Sequence, residues 1–317
     1  MTTSTRTPTS APGAPERPRR STTPGVRRGR LAKAATPYLF LAVPVVLLAV
    51  FTYVPVANMF WYSVTSWDGL SPTQEFVGAQ NYLDIATRPE LFRVFWVSLF
   101  YIGASVVQLV LALYFATILS FKVRFRNLFK GILFFPYLIN GVAIGMVFLY
   151  FFQPGGTLDS VLGIVGLENL SRQWLGDPGT INASLAGTSI WRYLGLNFVL
   201  FLGAIQSIPA VLYEAAEIDG ATRWHQFRYI ILPGIRSIIG LSFILAISGS
   251  LAVFEIPYIM TGGANGSETF VIQTVNMAFK FHKVGLASAM AVVLLLIILL
   301  ATWVQRRLVP EERVDLS

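Results

Sequence analysis

The stretch that decides the fold is residues 284–304, VGLASAMAVVLLLIILLATWV, which holds 21 residues and no charged side chain. About 20 mostly apolar residues in a helix are enough to cross the hydrocarbon core of a bilayer. The whole chain agrees with this reading, because 54% of its residues are hydrophobic and only 13% are charged. A soluble domain usually has about twice that charged fraction. The stretch therefore predicts a membrane-spanning helix in a membrane protein.

Five further segments meet the same length and composition requirement. Prolines at Pro44, Pro55 and Pro136 predict kinks, since proline removes a helical hydrogen bond that neighbouring helices can replace. We therefore expect an all-α, polytopic membrane protein with six transmembrane helices in one transmembrane domain, residues 37–309. The five further spans are predicted at about 38–62, 94–121, 128–152, 184–206 and 238–259.

The positive charges predict the orientation of the chain. Six spans place both termini on one side, and 18 of the 24 Lys and Arg lie outside the spans on that side, against five on the other. The positive-inside rule then puts both termini in the cytoplasm. Residues 1–36 are rich in Arg, Pro, Ser and Thr and predict a disordered basic tail, and residues 310–317 predict a second cytoplasmic tail.

The net charge of +8 has a second interpretation, a nucleic-acid-binding arm at the N-terminus. We favour the membrane interpretation and predict no nucleic acid partner, because a basic tail next to a span is what topology requires. The apolar run 38–62 is also too long for a signal peptide, and no small-residue cleavage site follows it. We therefore expect an uncleaved first span.

The composition excludes several kinds of chemistry. The chain has no Cys, which rules out disulfides and thiolate chemistry, and its two His are too few for a histidine metal cluster. A membrane-embedded enzyme would cluster titratable residues within its spans. Away from the span ends, however, only Arg192 and Glu255 are charged. We therefore predict no catalytic residue and no metal site.

One predicted cytoplasmic connection, residues 207–237, is too long for a simple turn. It reads SIPAVLYEAAEIDGATRWHQFRYIILPGIRS. Pro209 suits a helix start, the Asp219-Gly220 pair suits a break, and apolar residues recur at helical spacing after Trp224. The composition predicts two short helices joined by a turn. Taken alone, it fits an amphipathic connector on the membrane surface or a docking element for a soluble partner.

A fixed pattern inside this connection carries a family resemblance. Glu-Ala-Ala, three residues, Gly, nine residues, Ile, one residue and Leu-Pro match the EAA signature of ABC importer permeases at every fixed position. Other segments that match the family include Phe135-Pro136-Tyr137 and Thr261-Gly262-Gly263, and the resemblance spans roughly residues 37–309. The chain resembles the first permease subunit of carbohydrate-type ABC importers, in the maltose and glycerol-phosphate branch. It differs from the maltose-type subunit in having six predicted spans instead of eight and no large outer insert.

The resemblance implies a type I importer permease fold and a chain that is one subunit of a multi-subunit complex. The chain would form half of the path for a sugar or sugar-like solute, in an ATP-driven, binding-protein-dependent importer of a bacterial inner or plasma membrane. The implied partners are a second permease subunit in a heterodimer, two ATPase subunits, an extracytoplasmic solute-binding protein, a carbohydrate substrate and membrane lipid. The sequence has no G-x-x-x-x-G-K-[ST] motif, so ATP and Mg²⁺ belong to the partner ATPase and no cofactor is expected on this chain.

The resemblance also assigns roles within residues 207–237, which become an EAA coupling loop seated in a cleft of the ATPase. The small Ala pair would permit close docking and Gly220 a tight turn. Glu214 is favoured for contact with the ATPase, and Asp219 for capping or turn formation. The implied coupling residues are Glu214, Ala215, Ala216, Asp219, Gly220, Ile230, Leu232 and Pro233.

Charges inside spans are costly and are functional candidates by default. Arg192 and Glu255 lie at similar depths, so an ion pair between them is expected. Snorkelling of Arg192 to the interface and a purely structural Glu255 are the alternatives. Pro257, two residues further on, predicts an irregular backbone.

Anchoring the family's pocket on Trp191 and Thr261 implies Arg192, Tyr193, Leu196, Ser250 and Val253 as substrate-path residues. Asn197 and Glu255 join them on chemistry, because sugar sites combine aromatic faces with hydrogen-bonding groups. Two alternative functions stay open. A secondary transporter would leave the EAA pattern unexplained and needs coupling carboxylates, and an importer of the glycerol-phosphate type would carry a different solute.

Overall fold

A computed structural model describes residues 38, 40–121 and 123–308. The predicted tails, 1–36 and 310–317, lie outside the described residues. Within the described ranges the regular structure is helical, apart from one isolated antiparallel bridge between Thr65 and Phe76. The all-α class that the sequence predicts is confirmed.

The principal helices are numbered here in chain order. They are α1 (Phe40–Tyr62), α2 (Gln80–Thr87), α3 (Pro89–Arg93), α4 (Phe95–Ser120), α5 (Arg126–Leu138), α6 (Gly141–Phe151), α7 (Thr157–Ile164), α8 (Ile181–Gln206), α9 (Ala210–Ile218), α10 (Arg223–Gln226), α11 (Arg236–Leu251), α12 (Glu255–Thr261), α13 (Phe270–Val275) and α14 (Val284–Leu308).

Five stretches of the described chain are helical, long and apolar enough to cross a membrane. A sixth crossing results if α5 and α6, which are bent by 98° at a short break, count as one span. Five to six candidate spans agree with the polytopic fold that the sequence predicts. The five candidates other than this bent pair are Phe40–Tyr62, Pro89–Ser120, Ile181–Gln206, Arg236–Thr261 and Val284–Arg307.

The third predicted span, 128–152, requires a correction. The sequence predicts one helix kinked at Pro136, whereas the structure has two helices separated at Ile139 and Asn140. The amide of Asn140 explains the difference, because its side chain accepts a hydrogen bond from the backbone N–H of Val142 at 2.8 Å. This N-cap starts a new helix instead of continuing the old one.

The fifth predicted span, 238–259, is also interrupted. Helix α11 ends at Leu251 and α12 begins at Glu255. Pro257 has no N–H to offer the carbonyl of Val253, and that carbonyl instead accepts a hydrogen bond from Thr269 Oγ1 at 2.9 Å. The irregular backbone that Pro257 predicts is therefore present, just before the proline.

Two prolines are preceded by π-helical turns. The N–H of Val54 bonds the carbonyl of Ala49 and the N–H of Leu232 bonds that of Phe227, five residues back in each case. The next residues are Pro55 and Pro233. A wider turn lets the chain continue helically where a proline ring would clash with an α-helical carbonyl. The helix is regular through Pro44, where the sequence predicts a kink.

The membrane core is built on α4 and α8. A cluster of buried side chains joins these helices to the segment that follows α10. Phe198 and Phe201 of α8 and Ile231 and Ile235 of that segment are all at most 1% exposed. The connection 207–237 is therefore anchored in the same core as the spans.

Candidate functional site

The predicted break in the cytoplasmic connection is present as a tight turn. Helix α9 ends at Ile218 with Asp219 as its C-cap, and Gly220 has a φ of +75°. The N–H of Ala221 bonds the carbonyl of Ala216 at 2.9 Å, and the N–H of Gly220 bonds that of Glu217 at 3.1 Å. These two bonds form a Schellman C-cap, in which glycine suits the left-handed position. The sequence signal for this turn was the Asp-Gly pair.

The next helix, α10, starts on a side-chain cap. Thr222 Oγ1 accepts a hydrogen bond from the N–H of His225 and lies 2.7 Å from Nδ1 of the same residue. The stretch from α9 to α10 is therefore the helix–turn–helix that the composition predicts. His225 therefore has a local partner in Thr222.

The predicted coupling residues lie on an open surface in the single chain. Glu214, Ala215, Asp219, Gly220 and Pro233 are exposed, and α9 has no buried residue. The other three predicted residues, Ala216, Ile230 and Leu232, are half-buried. Most of the EAA pattern therefore lies at the surface of the chain and not in its core.

Sequence reasoning missed the apolar part of this surface. Val211, Leu212, Ile218 and Trp224 are exposed, and Ile218 is 87% exposed. The signal was available, since large apolar residues on a helix that leaves the membrane have no reason to face water. Tyr213, by contrast, packs against the core, and burial raises the pKa of its hydroxyl.

A second site lies within the membrane-spanning part. A cavity of about 450 Å³ opens between α4, α8 and the broken fifth span, within the usual range for small-molecule sites. Six of the seven predicted substrate-path residues line it: Tyr193, Leu196, Asn197, Ser250, Val253 and Glu255. Their gathering around one cavity is a structural fact, and their role in transport is still a prediction.

The seventh residue, Arg192, is not among the residues that line the cavity. Its Nη1 donates a hydrogen bond to Glu255 Oε2 at 2.6 Å, in an ion pair between α8 and the first residue of α12. The Arg192 side chain is 13% exposed and that of Glu255 is 40% exposed. The expected ion pair is present, and the alternative of a snorkelling Arg192 is wrong.

The ion pair sits against the break in the third span. A Cβ atom added to Gly141, the first residue of α6, would collide with Glu255 Oε2 and with Arg192 Nη1. Glu255 also begins a helix, where a negative charge is favourable. Two broken spans and α8 therefore meet at one pair of charges.

Helix α4 supplies a polar face that sequence reasoning missed. Tyr101, Ser105 and Gln108 line the cavity at helical spacing, and each is at most 8% exposed. Ser250 Oγ lies 3.1 Å from the Tyr101 carbonyl, to which it can donate across the helix pair. The signal was the spacing of polar residues within an otherwise apolar span.

Two hydroxyls of residues that line the cavity, those of Tyr101 and Ser242, are buried without a hydrogen-bond partner among the described residues. Leaving such groups unpaired costs about 1–3 kcal/mol each, so they are suited to water or to a hydroxyl-bearing ligand. No cluster of three or more His, Cys, Asp or Glu that could hold a metal ion occurs in the part of the chain that the structure describes.

Known proteins resemble the chain in both sequence and fold. The probable ABC transporter permease protein YurN of Bacillus subtilis is 33% identical, over 86% of this chain and 94% of that protein. The multiple sugar-binding transport system permease protein MsmF of Streptococcus mutans is 32% identical, over 86% of this chain and 94% of that protein.

A crystal structure of a bacterial alginate ABC transporter, in complex with its alginate pentasaccharide-bound periplasmic protein, matches the fold with a TM-score of 0.76. It is 21% identical, and the match covers 90% of this chain and 99% of that one. Residues 108–314 match the family described as the inner membrane component of binding-protein-dependent transport systems. This match covers more than half of the sequence, and the chain therefore belongs to that family.

Proposed function

We propose that the chain is the permease subunit of an ATP-driven, binding-protein-dependent importer of a sugar or sugar-like solute. The observation that carries this proposal is the cavity between α4, α8 and the broken fifth span, in a chain of this transport family. Its wall combines an aromatic ring, Tyr193, with neutral hydrogen-bonding groups such as Gln108 and Asn197. Sites for small polar ligands have this composition. The sugar-transporting relative MsmF supports the same solute class.

The chain is proposed to form half of the translocation path, beside a second permease subunit. Two ATPase subunits would supply the energy and hold ATP and Mg²⁺, since the sequence has no phosphate-binding Walker motif. A solute-binding protein would deliver the substrate from outside. The alginate transporter, which was solved with a periplasmic protein bound, supports this last partner.

Residues 207–237 are proposed to be the coupling loop on the cytoplasmic side of a bacterial inner membrane. Both termini are proposed to lie on the same side. The exposed apolar side chains Val211, Leu212 and Ile218 support a docked partner, because contact with a partner would remove them from water. The Schellman turn at Gly220 fixes the angle at which α9 is presented. The excess of Lys and Arg on the same side supports the orientation.

Uptake measurements test this proposal. Cells with and without the gene are given a panel of radiolabelled mono-, di- and trisaccharides, and the rates are compared. We expect at least one carbohydrate to lose its high-affinity uptake in the deletion strain, and a plasmid copy of the gene to restore it. Collapse of ATP should stop this uptake, whereas a protonophore with ATP maintained should not. Carbohydrate uptake that never depends on the gene, or that follows the ion gradient alone, would overturn the proposal.

A further inference from the structure

The cavity carries a distinctive charge arrangement. Among the described residues that line it, Glu255 is the one charged side chain. Arg192, its partner, is not part of the lining and is the more deeply buried of the two. Of the two charges in the ion pair, the carboxylate is therefore the one at the cavity wall and the more exposed. The wall presents no free positive charge to a ligand.

The remaining lining is neutral and mostly apolar, with several hydrogen-bonding side chains. Gln108 and Asn197 offer amides that both donate and accept, and Ser105 and Ser189 offer hydroxyls. The aromatic rings of Tyr193 and Phe254 supply apolar faces. Together they complement the alternating hydroxyls and C–H faces of a neutral sugar ring.

An anionic ligand would bind weakly in the same cavity. Its charge would meet the carboxylate of Glu255 in surroundings of low dielectric constant, where like charges repel strongly. Arg192 already donates Nη1 to Glu255, and drawing it towards an anion would weaken that pair. A sugar hydroxyl, by contrast, can donate a charge-assisted hydrogen bond to Glu255 without disturbing the pair.

We infer that this cavity admits uncharged, hydroxyl-rich solutes and discriminates against acidic sugars and sugar phosphates, with the Arg192–Glu255 pair setting the charge preference. The inference rests on the proposed function, because it takes the cavity to lie on the transport path. It specifies that the substrate is uncharged, and it makes Glu255 a residue that determines substrate specificity.

The first test compares neutral and acidic probes in the intact transporter. Gene-dependent uptake is measured for maltose, cellobiose and raffinose on one side, and for digalacturonate and glycerol 3-phosphate on the other. We expect gene-dependent uptake only on the neutral side. Gene-dependent uptake of an acidic probe at a rate equal to the neutral ones would overturn the inference and leave the proposed function intact. If no probe on either side depends on the gene, the proposed function fails, and the inference with it.

The second test separates the permease from the binding protein, which these variants leave unchanged. Glu255→Gln exposes an uncompensated Arg192, so uptake of the neutral substrate should fall at least tenfold at equal membrane abundance. The double variant Arg192→Gln/Glu255→Gln removes both charges, and we expect it to recover most of the lost uptake. Equal loss in the single and double variants, or normal uptake in Glu255→Gln, would show that charge does not govern the cavity. If Glu255→Gln does not reach the membrane, the double variant and the first test still decide.

Discussion

Thr269 Oγ1 donates a hydrogen bond of 2.9 Å to the carbonyl of Val253, the carbonyl that Pro257 leaves without a helical partner. Thr269 is fully buried and also caps α13, since Oγ1 accepts from the N–H of Ile272 at 3.3 Å. One side chain therefore stabilises both the break in the fifth span and the start of the next helix. Because Val253 lines the cavity, this hydrogen bond also shapes the proposed substrate path.

Thr269→Val should lower stability by about 1–3 kcal/mol, because it keeps the shape of the side chain but leaves buried polar backbone groups unpaired. Thr269→Ser keeps the hydroxyl and is the matched control, with a smaller loss expected. Thermal unfolding of the detergent-purified protein measures both. Equal unfolding temperatures for the wild type and Thr269→Val would show that the hydrogen bond contributes nothing.

Gly141→Ala should damage the protein through the ion pair, because the new methyl group would collide with both Arg192 and Glu255. Overpacking of this kind typically costs about 1–3 kcal/mol. The control is Gly203→Ala on α8, where an added Cβ meets no other atom within 4 Å, and where alanine favours the helix by about 1 kcal/mol. We expect Gly141→Ala alone to lose thermal stability and uptake. Two variants with the same unfolding temperature would contradict the collision.

The parts of the fold that could be predicted from the sequence are those set by local chemistry. Long apolar runs predict spans, because each must satisfy its own backbone hydrogen bonds in lipid. The Asp219-Gly220 pair predicts a turn, because glycine occupies the left-handed region without strain. Arg192 and Glu255 predict an ion pair, because two isolated charges at similar depth stabilise each other in an apolar medium.

The sequence predicts a kink at Pro136 and an irregular backbone at Pro257, but not that a helix ends near each of these prolines. The sequence is hydrophobic on both sides of Asn140 and of Val253, so mean hydropathy shows no break at either position. Mean hydropathy also carries no information on which backbone groups are hydrogen-bonded. The break after Pro136 depends on a side-chain cap, and the break before Pro257 depends on Thr269, which is 16 residues from Val253. The polar face of α4 was missed for a related reason. Tyr101 and Gln108 are single polar residues in a lipid-compatible helix until the fold brings α8 and α11 beside them.

Asp68 gives a prediction about pH. Its carboxylate accepts hydrogen bonds from Ser71 Oγ, Ser71 N and Leu70 N at 2.7, 2.8 and 2.9 Å. These bonds, the Ser71 hydroxyl first among them, lower the pKa of Asp68 from 3.8 to about 2. A lowered pKa in the folded state means that the turn is fully stabilised above pH 3.8 and loses this contribution as the pH falls towards 2.

Ser71→Ala should therefore raise the pKa of Asp68 towards its ordinary value, because it removes the largest cause of the shift. A carboxyl ¹³C titration of the detergent-solubilised protein, labelled at aspartate, measures this directly. Ser71→Thr keeps a hydroxyl at the same position and serves as the control, with little change expected. An unchanged titration midpoint in Ser71→Ala would refute the assignment of the shift to Ser71.

Gly220 separates two reasons for a glycine in the proposed coupling loop. No atom of the chain lies within 4 Å of a Cβ added there, so the chain itself requires only the left-handed backbone at φ +75°. Valine is strongly disfavoured in that region, whereas asparagine tolerates it. Gly220→Val should abolish ATP-dependent uptake while membrane insertion persists, because the turn that presents α9 would open.

Gly220→Asn then tests whether the surface of the partner ATPase lies close to Gly220. If the backbone turn is the whole requirement, Gly220→Asn should keep most of the uptake, and the ATPase activity of the assembled transporter should still respond to the loaded binding protein. If the proposed ATPase surface comes within van der Waals distance of Gly220, the asparagine side chain should uncouple transport as fully as valine does. Normal uptake by Gly220→Val at wild-type abundance would remove this turn from the coupling mechanism altogether.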